Sequence, residues 1–143
     1  MAATHFTTCY LAIDNTIGTP VDFTSYVKGI TINFSREELD RSYAGCVGKA
    51  RGAGLFDWEV IVECFNDFAD NTVDEVLHGI VDAGTAVELS FRPSSAAQSA
   101  NNPTYFGIGL VSEYPLAMVH GEDNVVSFTV RGSDGAAMTR TAT

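Results

Sequence analysis

Carboxylates are the most abundant side chains in this sequence that could do chemistry, and their spacing argues against catalysis. Glu59 and Glu63 fall on one side of an alternating run, about 13 Å apart along a strand that rises ~3.3 Å per residue. A glycosidase pair needs its carboxyls within ~9.5 Å. Glu122 and Asp123 beside Gly121 read as a turn rather than a cation cage. His5, His78 and His120 are scattered, and none stands at ligand spacing from another His or from a Cys. Cys9, Cys46 and Cys64 are an odd, widely spaced set without a CxxC, which points to reduced thiols rather than a disulfide framework or a zinc site. Cys9 and Cys64 sit at apolar positions of strand-like runs, the place of small buried hydrophobes. A buried Cys64 is a poor nucleophile even with a histidine nearby. The chain contains no GxxxxGK[ST], GxSxG, HExxH or DxDxDG pattern. The sequence therefore predicts a protein that is not an enzyme and uses no cofactor and no metal.

Charge narrows the class further. Eighteen acids against eight bases give a net charge of −10 and a pI near 4.4. Phosphate binding needs clustered Lys and Arg, so this balance argues against a nucleic-acid grip or an anionic membrane partner. From Gly52 to Phe91 there are nine acids and no Lys or Arg. Such a run serves either as a solvated face or as a surface that repels something negative.

The 143 residues match one ordinary domain, and 45% hydrophobic with 18% charged residues is a globular balance. The expectation is one domain over residues 1–143. No apolar run approaches the ~20 residues of a membrane helix, and the first ten residues lack the pattern of a secretory signal. A soluble chain with no membrane insertion is expected.

Period-two alternation supplies the elements that must position these residues. Cys9, Leu11 and Ile13 share a face, as do Ile30, Ile32 and Phe34. Trp58, Val60, Val62 and Cys64 alternate with Asp57, Glu59, Ile61 and Glu63. Val87, Leu89 and Phe91 follow, then Phe106, Ile108 and Leu110 as an apolar face, then Val126, Phe128 and Val130. Strands with one apolar and one polar face belong to antiparallel sheets around a core. Only Thr72–Val81 breaks the pattern, with Val73, Val76, Leu77 and Ile80 at i, i+3, i+4 and i+7. Thr72 and Glu75 have capping-box spacing, and Gly84 suits a left-handed stop.

Three segments are too polar for core. Arg36–Ala53 carries Arg36, Glu37, Glu38, Asp40, Arg41, Lys49 and Arg51 among glycines. Pro93–Pro103 is small and polar, and Arg131–Thr143, with Arg131 and Arg140, ends in small residues. Structureless loops beyond ~12–15 residues are uncommon in compact domains unless functional or disordered. Segment 36–53 is therefore expected to be an arm, mobile in a monomer and ordered against another chain, with a floppy hairpin tip as the alternative, and 131–143 is expected to be a C-terminal arm.

The order of these pieces resembles the major tail (tail tube) proteins of long-tailed, non-contractile bacteriophages. VDFTSYVKGITINF over 21–34 opens the match, and Glu38-Leu39-Asp40 leads into the glycine-containing loop. GLFDWEVIVECF over 54–65 is similar to that family's GL-x-D-x-S-x-x-x-x-F strand. NTVDEVLHGIVDAG, VELSFRP, NPTYFGIGLVSEYP, GEDNVVSFTVRG and the terminal MTRTAT follow in order, covering residues 20 to 143.

The resemblance implies a mainly β protein, an antiparallel β-sandwich or barrel of the tail-tube type with one flanking α-helix and long assembly arms. It implies a virion protein, assembled in a host cytoplasm into hexameric rings stacked as a hollow tube. DNA passes through such a tube transiently and without specificity, and the tape-measure, terminator and distal tail proteins are its neighbours. On this reading Asp57, Glu59 and Glu63, with Glu88, face the lumen. Arg36, Glu37, Glu38, Asp40, Arg41, Lys49, Arg51, Arg131 and Arg140 belong to intersubunit arms. Two alternatives stand beside it: a related ring (tail terminator, distal tail or secretion-tube subunit), or a monomeric β-barrel holding a small ligand in its mouth.

Overall fold

The computed structural model describes residues 9–14, 20–135 and 137–142. In chain order they form β1 (Tyr10–Asp14), β2 (Pro20–Asp22), β3 (Val27–Asp40), β4 (Arg51–Phe65), α1 (Val73–Ala83), β5 (Val87–Arg92), β6 (Thr104–Glu113), β7 (Val125–Gly132) and β8 (Thr139–Thr141). Every pairing among the described residues is antiparallel, in the order β2-β1-β5-β6-β7-β4-β3, with β8 on β6. His5 and Thr8 lie outside the described residues.

One face of the sheet is the core. Leu11 and Ile13, Trp58 to Cys64, Val87 to Phe91 and Val126 to Val130 place their alternate apolar side chains there. The sheet curls so that distant strands meet across this core. Phe23, just past β2, packs edge-to-face on Phe128 of β7 with centroids 6.4 Å apart, and Phe34 of β3 reaches Tyr105 of β6 at 6.2 Å. Strand β6 is the corner, since its first half pairs with β5 and its second half with β7.

The register of β6 corrects the expectation. Gly107 and Gly109 are its buried residues, whereas Phe106 and Ile108 are half-buried and Leu110 is exposed on the opposite face. Trp58 is the cause. A Cβ on Gly107 would stand 2.8 Å from its Cζ2, on Gly109 2.9 Å from its Cη2 and on Gly132 2.7 Å from its Nε1. The indole already fills the volume that apolar side chains of β6 would need, so glycine takes the inner positions.

Helix α1 covers the sheet with Val73, Val76, Leu77 and Ile80 buried. Gly84 ends it at φ 66°, its N–H donating to Ile80 O at 3.0 Å. The expected reciprocal capping box does not form. The Thr72 hydroxyl donates to the carbonyls of Asp67 (2.9 Å) and Ala69 in the preceding turn, so it is spent before the helix begins, and Glu75 accepts from the Asn71 N–H instead. Tyr114 locks the helix to the sheet, donating to Asp74 Oδ1 at 2.7 Å and accepting from Asn66 Nδ2 at 3.1 Å.

Both expected arm segments carry more regular structure than loops. Arg36–Asp40 and Arg51–Ala53 are not loop, because they continue β3 and β4 in register to the pair Asp40↔Arg51. Only residues 41–50 form the connecting tip. The composition is polar because every β3 residue from Asn33 to Asp40 is exposed, while beyond Trp58 the facing strand offers only the half-buried Phe56, Gly54 and Gly52. At the C-terminus, Arg131 ends β7, and Thr139–Thr141 folds back on β6 with Arg140 opposite Tyr105. Both arginines are sheet residues rather than part of a free arm.

Candidate functional site

Alternation along β4 turns Asp57, Glu59 and Glu63 away from the core face held by Trp58, Val60, Val62 and Cys64. Register extends this outer face across the sheet. Glu59 pairs with Arg131 of β7, Arg131 with Leu110 of β6, and Ile108 of β6 with Glu88 of β5. Glu88 therefore shares the face but stands three strands from the β4 acids, across the apolar Ile108 and Leu110.

The face is less anionic than its sequence. Arg131 donates from Nε (3.3 Å) and Nη2 (3.2 Å) to Glu59 Oε1. Lys28 Nζ lies 3.8 Å from Glu63 Oε1 and 5.3 Å from the Phe65 ring centroid. Among the described residues Asp57 accepts only from the Trp58 N–H, at 2.8 Å. Glu59 and Glu63 are thus neutralised in place by pairs too exposed to add more than ~0.2–1 kcal/mol each. The sequence reading missed both partners. Arg131 lies 72 positions from Glu59, and only strand pairing brings them together.

The hairpin of β3 and β4 is the second feature. Arg36 donates to Gly54 O at 3.0 Å and lies over the Phe56 ring, Arg51 pairs with Glu38 at 3.7 Å, and Arg41 lies against Gly52. Asp40 accepts the Ser42 N–H at 2.9 Å, which holds its carboxyl below the usual range. Glu37 and Lys49 are exposed. The hairpin also exposes large apolar side chains: Leu39, Tyr43, Val47 and Leu55, with Val47 fully in solvent.

The third is a cleft of about 220 Å³ where the curled sheet fails to close, between Ile30 and Ile32 of β3 and Cys9, Phe91 and Tyr105 opposite. Ligand pockets occupy ~300–1,000 Å³, so the cleft suits inserted side chains better than a small molecule. Burial pushes the Cys9 thiol up, and pushes the fully buried Cys64 up to about 12. Cys64 is the buried hydrophobe expected, whereas Cys9 is only half-buried at the cleft. Among the described residues no three His, Cys, Asp or Glu side chains gather as metal ligands, and no helix is long and apolar enough to cross a membrane.

No protein-family model and no curated protein matches the chain. Solved structures do. The tail of an empty gene transfer agent particle, refined with C6 symmetry, aligns at TM-score 0.72 and 17% identity, covering 93% of this chain and 95% of that one. The SPP1 tail tube aligns at TM-score 0.75 and 9% identity, covering 95% of this chain and 77% of that one. A chain of the anti-feeding prophage baseplate aligns at TM-score 0.63 and 12% identity, covering 99% and 96%. These are parts of tails and a baseplate rather than enzymes. With an antiparallel curled sheet, one flanking helix and a projecting hairpin, the chain has the phage tail-tube fold.

Proposed function

We propose that this protein is a structural subunit of a phage-type tail, self-assembling into stacked hexameric rings that form a hollow tube for DNA delivery. The observation that carries this is the hairpin. A hairpin whose β3 strand is exposed from Arg36 to Asp40, and which bears unburied Leu39, Tyr43, Val47 and Leu55, runs on past the core at Trp58 and suits an arm that binds a neighbour. Arg36, Glu37, Glu38, Asp40, Arg41, Lys49 and Arg51 belong to that arm. The outer face with Asp57, Glu59, Glu63 and Glu88 lines the lumen, where Asp57 and Glu88 keep a wall that DNA does not stick to. At a Debye length of ~8 Å such repulsion acts only close to the wall. The protein then resides in the virion tail, beside tape-measure, terminator and distal tail proteins.

Likeness to a baseplate chain over nearly its full length favours one second reading, a ring that ends a tube rather than extending it. Negative-stain microscopy of the purified protein tests both. Tubes with a central hole support the tube subunit, isolated six-fold rings support the terminal ring, and a monodisperse monomer at every concentration overturns the assembly reading.

A further inference from the structure

We propose that the cleft between β3 and the Cys9–Phe91–Tyr105 wall is the receptor for the apolar hairpin tip, residues 41–50, of a second copy of this chain. The proposal rests on the assembly reading above and names its contact. Reach excludes the subunit's own tip. From Ile32 at the cleft to Asp40 at the tip is about 26 Å of strand at ~3.3 Å per residue, and β4 holds that strand in register throughout. The tip cannot fold back, so a tip that enters this cleft comes from another molecule.

Chemistry matches the two surfaces. The cleft offers Ile30, Ile32, Phe91, Pro93 and Tyr105, and the tip offers Tyr43 and Val47, both largely in solvent. The charged residues that line the cleft are Lys28, already beside Glu63, and Arg92. Arg92 stacks on Tyr10, its Nε buried and without an acceptor among the described residues. The hairpin brings Glu37 and Asp40, neither with a cation beside it among the described residues, and either carboxylate completes the Arg92 donor. Tip-to-cleft contact joins different patches on two copies. Such head-to-tail interfaces close into rings or grow into filaments.

The chain carries its own reporters, because Cys9 lines the cleft and Cys46 sits in the tip beside Val47. Assembled protein treated at pH 8 with a short bis-maleimide is expected to give a ladder of covalent oligomers joined through Cys9 and Cys46, identified by peptide mass spectrometry. Cys9→Ser and Cys46→Ser should each abolish the ladder, and buried Cys64 should stay unmodified. Val47→Asp alters a fully exposed residue, so it should leave far-UV circular dichroism unchanged while lowering cross-linking at least about tenfold. Rings or tubes that form without a Cys9–Cys46 link, or that tolerate Val47→Asp, overturn the cleft assignment and leave the assembly reading intact. A link from Cys46 to another Cys46, or full assembly after deletion of residues 41–50, overturns it equally. Protein that never assembles overturns both.

Discussion

Gly107 and Gly109 occupy the inner face of β6 because Trp58 has taken the room, and alanine substitutions measure that claim. In Gly109→Ala the new methyl would lie 2.5 Å from Arg131 O, 2.8 Å from Val130 Cγ1 and 2.9 Å from Trp58 Cη2. The first of these is backbone within the β6–β7 ladder and cannot yield alone. In Gly107→Ala the close atoms are Trp58 Cζ2 at 2.8 Å and Met138 Cε at 3.1 Å, both side-chain ends. Overpacking costs ~1–3 kcal/mol, against ~0.4–1 kcal/mol gained by stiffening the unfolded chain. Gly109→Ala should therefore lose about 2 kcal/mol and Gly107→Ala about 1 kcal/mol. At roughly 4 °C per kcal/mol for a chain of this size, the melting temperature should fall by about 8 °C and 4 °C. Trp58→Phe trims the indole and strands no partner, since Trp58 Nε1 is buried without an acceptor among the described residues. A double-mutant cycle should show Trp58→Phe rescuing Gly107→Ala by about 1 kcal/mol and Gly109→Ala by much less. Urea unfolding followed by circular dichroism reads all of these. Near-neutral glycine variants, or equal rescue at both positions, would refute the packing argument.

Tyr114→Phe removes the hydroxyl joining Asp74 and Asn66 and should cost about 1–2 kcal/mol, with faster amide exchange concentrated in α1. The Tyr114 hydroxyl is held protonated by burial and by Asp74, and Cys64 is pushed up to about 12 by burial. Both folded-state values lie above their unfolded ones, so their stability contribution is complete below pH 9 and is lost as pH rises beyond it; a Cys64→Val variant should show a flatter alkaline limb in pH-dependent melting. Glu59→Lys with Glu63→Lys should still assemble, because exposed pairs are worth little, while the tubes retain DNA in a low-salt gel shift. If assembly instead collapses and charge-reversed hairpin variants restore it, those acids face a neighbour rather than the lumen. Replacing Glu37–Arg51 by an Asn-Gly turn should leave a folded monomer by circular dichroism and no particles by sedimentation, and tubes formed by that variant would remove the hairpin from assembly.

Local periodicity made most of the sheet readable from residues alone. Alternation at Trp58 to Cys64, Val87 to Phe91 and Val126 to Val130 marks a core face because burial in a strand repeats every second residue. The i, i+3, i+4 spacing of Val73, Val76, Leu77 and Ile80 marks the helix for the same kind of reason, and Gly84 ends it because a left-handed residue without a Cβ is unstrained. Which acids share a face was legible at Asp57, Glu59 and Glu63. What neutralises them was not, since Arg131 and Lys28 arrive through strand pairings that no local pattern encodes. Alternation also leaves open which of two faces points inward. Hydrophobicity chose wrongly in β6, where the volume of one indole from β4 forced glycines in and Phe106, Ile108 and Leu110 outward. The polar composition of 36–53 likewise fits a loop or a solvated ribbon equally well. Only the continued register between β3 and β4 made it a ribbon, because cross-strand hydrogen bonds do not require either face to be apolar.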